Sequence, residues 1–179
     1  MPRRLCGLIP YAAVAAAYGS IAAAAYVSRA WWSPLLNALS DLGRPSNGVV
    51  AAAVFDSGLY LAGLLMAAGS MFCCHGPARS LGTLVGLLLG LVGVLNESFG
   101  HVHYLVSVAL FLAMLAYIAT VGPRVIGAAG AALLSLTFIA VWALHYAMRV
   151  PRGVAVPETV TSLIFAAVYL SYTTRRCRG

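Results

Sequence analysis

The chain has 179 residues, of which 62% are hydrophobic and only 8% charged, with a mean hydropathy of +0.93. Globular domains carry roughly a quarter charged residues, so a soluble fold is excluded and a single all-α polytopic membrane bundle over 1–179 is expected. The formal net charge of +7 comes from eleven arginines and no lysine; most of them fall on short segments at one side of the spans, which points to membrane orientation and not to nucleic acid.

A helical span needs about 20 residues at 1.5 Å rise each. Six apolar stretches qualify: 5–27, 49–72, 79–98, 102–121, 125–147 and 157–174. The third and sixth are short as uninterrupted runs and must recruit flanking Ser, Thr, Asn or Glu. The first follows Arg3 and Arg4 like the core of a signal peptide, but at about 23 residues it exceeds the 7–15 of such a core. A retained, alanine-rich first span is expected.

The loop after it carries its own signals. Trp31 and Trp32 suit the headgroup region. Ser33-Pro34 reads as N-cap and first helical position, and Gly43 as the residue after the end. A short interfacial helix within 31–43 is therefore expected. Asn37, Ser40 and Asp41 share one face of it, with Leu35, Leu36, Leu39 and Leu42 largely on the other. The polar stripe either faces water or folds over the bundle and lids a polar pocket.

If the second span starts near Val49, Asp56 lies about seven residues in, roughly 10 Å deep. An ionised Asp there costs on the order of 3 kcal/mol on insertion scales, so it needs an inward partner, water or a proton. A start near Ala53 would instead leave it in the first turn, favoured by the helix dipole. The third span carries Gly82, Gly86 and Gly90 at four-residue spacing, which lets helix backbones approach closely in lipid. The partner is either another helix of this chain or a second subunit.

The connection from the third span to the fourth is short, so Glu97 must lie close to His101 or His103. On one helix those two histidines point about 200° apart, whereas His103 and Ser107 at i, i+4 share a face. His145 lies near the outer end of the fifth span, with Trp142 and Arg149 on its turn, where a headgroup-level histidine is the competing reading.

These positions are not scattered. Asp41, Asp56, Glu97, Glu158, His101, His103 and His145 all fall at one side of the spans. The other side carries His75, all four cysteines and seven arginines (Arg3, Arg4, Arg79, Arg124, Arg175, Arg176, Arg178), against Arg29, Arg44, Arg149 and Arg152 opposite. That bias predicts a cell-membrane protein with both termini in the cytoplasm. Cys6, Cys73, Cys74 and Cys177 would then stay reduced, as small apolar residues without a metal-binding spacing.

Three histidines and the carboxylates would suffice for a zinc site, and zinc-bound water could attack a lipid ester. No HExxH, GxSxG or HxxxH is present, so ligand spacing supplies no diagnosis. A triad from Ser40 or Ser107 with His103 and Asp56 is also conceivable. So are a proton-coupled pair of Asp56 and His103 and a purely structural network of Asp56, His103 and Ser107.

Three motifs, Asn37-Ala38-Leu39-Ser40-Asp41-Leu42-Gly43, Phe55-Asp56-Ser57-Gly58 and His103-Tyr104-Leu105-Val106-Ser107, resemble those of the six-span prokaryotic family known as domain of unknown function 998. Its distant relatives are FRAG/DRAM-type membrane proteins linked to lipid remodelling and autophagy. The resemblance implies no activity. It does imply that a polar outer cluster of Asn37, Ser40, Asp41, Asp56, His103 and Ser107 is a shared feature. Asp56 departs from the pattern, which has Asn there.

The expected ligand-binding set is therefore Asn37, Ser40, Asp41, Asp56, Glu97, His103, Ser107 and His145. The leading expectation is non-enzymatic binding or transport of a lipid headgroup or small solute at an outward polar pocket, with membrane lipids as partners. A metal-dependent lipid hydrolase using zinc is the alternative, and a scaffold acting through the Gly82, Gly86 and Gly90 face is the third.

Overall fold

A computed structural model describes residues 3–178; the side chains of Arg3, Arg4, Arg176, Cys177 and Arg178, counted above for orientation and redox state, lie outside the described part. The described residues form six α-helices: α1 (Arg3–Val27), α2 (Val49–Cys73), α3 (Pro77–Val94), α4 (His101–Val121), α5 (Pro123–Met148) and α6 (Ala155–Arg178). All six are long and apolar enough to cross a membrane, and among the described residues there are no strands. This is a multi-pass helical membrane bundle.

Glycine sets the tightest seam. A Cβ at Gly86 would collide with the backbone of Ala67, and one at Gly63 with the backbone of Gly86 and Gly90. The small-residue face of α3 is thus spent on α2 of the same chain, with Gly82, Gly86 and Gly90 all buried. Deeper in the bundle, Tyr117 of α4 meets the rings of Phe165 and Tyr169 of α6 edge-on, at 5.2 and 6.0 Å between centroids. By contrast α5 buries only Val125, Ala131, Phe138 and His145. Such a narrow stripe anchors the helix without closing it against α4.

Three expectations change. α3 stops at Val94, short of Glu97, because Asn96 turns its side-chain oxygen to the Ser98 N–H and opens a 3-10 turn at Glu97–Phe99. The expected interfacial helix becomes a turn at Ser33–Asn37 and a 3-10 turn at Ser40–Gly43. Its backbone groups are taken by competitors: Asn37 Oδ1 accepts from Ser33 N–H, Asp41 Oδ2 from Ala38 N–H and Glu158 Oε2 from Leu39 N–H. The α5–α6 loop takes others, with Gly153 N–H donating to Leu35 C=O and Ala155 N–H to Asn37 C=O. Polar side chains that offer such local bonds draw the backbone away from a helix.

The third change concerns the cysteines. Cys6 and Cys73 form a disulfide between the start of α1 and the end of α2, with Cα atoms 5.4 Å apart. The expectation of reduced thiols fails for this pair. Sequence reasoning missed it because the residues are 67 positions apart and meet only once α1 and α2 pack antiparallel.

Candidate functional site

The polar residues singled out from the sequence gather at one end of the bundle, under a cap made by residues 33–43. Asn37 locks the cap: its Nδ2 donates to Asp41 Oδ2 at 3.2 Å, and the same oxygen accepts Ala38 N–H at 2.8 Å. Leu42 and Gly43 are buried beneath. Any side chain at Gly43 would strike Asp56 Oδ1 and the Phe55 ring, so the cap sits directly over the second turn of α2.

Asp56 does lie in that second turn, since α2 begins at Val49. Its Oδ2 accepts from Asn96 Nδ2 at 2.9 Å, while its buried Oδ1 has no hydrogen-bond partner. His103 is 6% exposed and points inward. Its Nδ1 lies 2.6 Å from the Leu95 carbonyl and its Nε2 3.3 Å from Ser107 Oγ. A carbonyl only accepts, so Nδ1 carries the proton and Nε2 is the acceptor of the Ser107 hydroxyl. The triad with Asp56 is therefore not formed: the group orienting His103 is the backbone carbonyl of Leu95, the residue just after α3.

Glu97 stands beside Asp41 and Arg44. Burial, reinforced by the Asp41 charge and a hydrogen bond to Asp41 that only a protonated partner can make, pushes the Glu97 carboxyl up to about 7; Arg44 opposes this. Glu158, in the first turn of α6, completes the acidic group within electrostatic reach of Asp41 and Glu97.

Beneath and beside this cap lie two adjoining spaces. A cavity of about 90 Å³ runs into the core between α1, α2, α4 and α6. A second of about 780 Å³ lies between α4 and α5. They share Ser40, His103, Ser107, Phe111 and Glu158. The polar end of the larger one adds Arg44 and Glu97, and the rest of its wall is apolar, including Val108, Leu112, Ile139 and Ala143. Leu112 is 62% and Ile139 51% exposed, so this flank opens sideways, toward lipid in a membrane.

Of the expected set, Ser40, Glu97, His103 and Ser107 line these spaces. Asn37 and Asp41 build the cap, and Asp56 is held by Asn96 outside the lining. His145 is buried at 5% exposure with its Nδ1 unpartnered, and it too is outside the lining. Among the described residues no three His, Cys, Asp or Glu side chains come together as a metal-binding group.

A family model described as protein of unknown function (DUF998) matches residues 11–175. The chain belongs to the DUF998 family. No curated protein and no solved structure matched it significantly. The three motifs that resemble the DUF998 pattern converge in space: the first forms the cap, the second places Asp56 under it, and the third supplies His103 and Ser107 at the cavity wall. Sequence reasoning left Arg44, Asn96 and Glu158 out of the site. Glu158 had a signal, as the one carboxylate opening the sixth span on the same side as the others.

Proposed function

We propose that the protein binds a membrane lipid, with an acyl chain between α4 and α5 and the headgroup against Ser40, Arg44, Glu97 and Glu158. The observation that carries this reading is the cavity of about 780 Å³, polar at the capped end and apolar along an open flank. Its volume lies in the range of about 300–1,000 Å³ usual for small-molecule sites. An amphipathic shape open sideways suits a molecule entering from the bilayer. Arg44 beside Glu97 and Glu158 suits a zwitterionic headgroup, with phosphate toward the guanidinium and ammonium toward the carboxylates.

The arginine bias favours termini in the cytoplasm of a cell-membrane protein and a site on the outer face. The Cys6–Cys73 disulfide pulls the other way, because disulfides persist in oxidising compartments. We give the arginines precedence: loop charge acts during insertion, whereas a disulfide forms afterwards and reports the thiol environment.

Native mass spectrometry of protein released from mixed-lipid nanodiscs tests the binding. One phospholipid per chain is expected on the wild type, reduced at least fivefold in Ala143→Trp, whose indole fills the flank. Equal retention by both proteins would overturn the proposal.

A further inference from the structure

We propose that Ser107 and His103 are a nucleophile and its general base, and that they cleave the acyl ester of a lipid lying in the α4–α5 cavity. The inference rests on the lipid-binding reading and adds a reaction to it.

The first observation is how Ser107 uses its hydroxyl. Helical Ser and Thr side chains ordinarily bond back to a carbonyl of the preceding turn. Ser57, Thr120, Thr137, Thr159, Thr161 and Thr173 do so here, while Ser70 turns to the Tyr169 hydroxyl and Thr83 and Ser135 find no partner. Ser107 instead meets His103 Nε2 at 3.3 Å. The second is the tautomer: with Nδ1–H given to the Leu95 carbonyl at 2.6 Å, the lone pair on Nε2 is the one facing Ser107. An activated nucleophile is recognised by this arrangement, a base within hydrogen-bond reach and a third group orienting the base.

Here the third group is a backbone carbonyl. Leu95 directly follows α3 and is turned out of the helix at φ −94°, ψ 65°, and its carbonyl accepts the Nδ1 proton at 2.6 Å, a bond that strengthens when the ring becomes cationic. It thus stabilises the imidazolium that forms when His103 takes a proton, the task a carboxylate performs in a triad. A histidine that merely capped α3 would need Nδ1 alone. The third observation is place. Both residues line the core cavity and the larger amphipathic one, where an ester linkage would lie between an acyl chain along the flank and a headgroup under the cap.

The steps balance without a metal. Ser107 Oγ attacks the ester carbonyl carbon while its proton passes to His103 Nε2. The C–O bond to the lipid alcohol then breaks, and that oxygen takes the proton from His103, leaving acyl-Ser107. Water attacks the acyl carbon, gives a proton to His103, and fatty acid departs as Ser107 Oγ recovers it. Ser40, Arg44 and the unpartnered Trp142 Nε1–H lie on the same wall and are donors that a transient oxyanion there can use.

The test uses the full chain in nanodiscs with an alkyl fluorophosphonate, whose phosphorus is captured by activated serines with loss of fluoride, read by peptide mass spectrometry. Hydrolysis of a phosphatidylcholine with a fluorogenic acyl ester is followed in parallel. Labelling at Ser107 is expected, at least tenfold above Ser57, with hydrolysis lost in Ser107→Ala. His103→Asn, whose amide can still reach toward Leu95, should lower both at least 100-fold while native mass spectrometry shows lipid retained. Retained lipid with no labelling of Ser107, or hydrolysis unchanged in Ser107→Ala, would overturn the catalytic pair and leave lipid binding standing. Absence of bound lipid on Ser107→Ala, which cannot turn it over, would overturn both.

Discussion

Replacing Glu97 with Gln should stabilise the protein at alkaline pH. The carboxyl sits at about 7 in the folded protein against an ordinary 4.5, so the folded state holds its proton more tightly than the unfolded one. The stability this contributes is fully present below about 4.5 and is lost as pH rises through about 7. A displacement of that size corresponds to roughly 3 kcal/mol at 1.36 kcal/mol per pH unit. Water reaches the half-buried group and screens it, so roughly 1–2 kcal/mol is the working figure. Glu97→Gln should therefore melt about 2–8 °C above the wild type at pH 8, at about 2–4 °C per kcal/mol for a chain of this size. At pH 4.5 the two should nearly coincide. Thermal unfolding in mild detergent, followed by circular dichroism across that range, makes the comparison. A variant less stable than the wild type at pH 8 would refute the reasoning, because it would mean that Arg44 more than offsets burial and the Asp41 charge.

Gly86→Val should cost about 2–3 kcal/mol or more, since its side chain would be built into the Ala67 backbone and overpacking of this kind forces elements apart. Gly19→Ala, with nothing within 4 Å of the added carbon, should be neutral or slightly stabilising; paired thermal melts read both. Asn37→Ala removes the donor to Asp41 and the acceptor of Ser33 N–H, so a loss of roughly 1–2 kcal/mol and faster hydrogen exchange confined to the cap are expected. Acid trapping and alkylation of cells read the state of Cys6 and Cys73, joined in the structure: cytoplasmic termini require that the bond form only outside the reducing compartment, so thiols are expected in living cells. A disulfide already present in living cells would reverse the orientation.

The spans were readable because lipid demands length and apolarity of each helix separately, and both properties are local. The pairing of His103 with Ser107 was equally readable, since i, i+4 residues meet on any helix. What lay beyond the sequence was whatever depended on two distant segments. Asp56 meets Asn96 across 40 positions, Leu39 N–H meets Glu158 across 119, and no periodicity encodes either. The cap shows the cost most clearly. Ser33-Pro34 and Gly43 are sound helix punctuation, but Glu158 and Gly153 arrive from the far end of the chain and claim the backbone groups that a helix would have used. The wide space beside α5 was invisible for a related reason: its sequence is as apolar as its neighbours', and only packing reveals how little of it reaches the core.

The most direct test of the central claim is photo-crosslinking with a phosphatidylcholine bearing a diazirine midway along one acyl chain, applied to the protein in native membranes and mapped by peptide mass spectrometry. Adducts concentrated on Val108, Leu112, Ile139 and Ala143, and displaced by Ala143→Trp, are the predicted result. Adducts spread evenly over the lipid-facing residues of all six helices, unaffected by Ala143→Trp, would contradict a lipid site between α4 and α5.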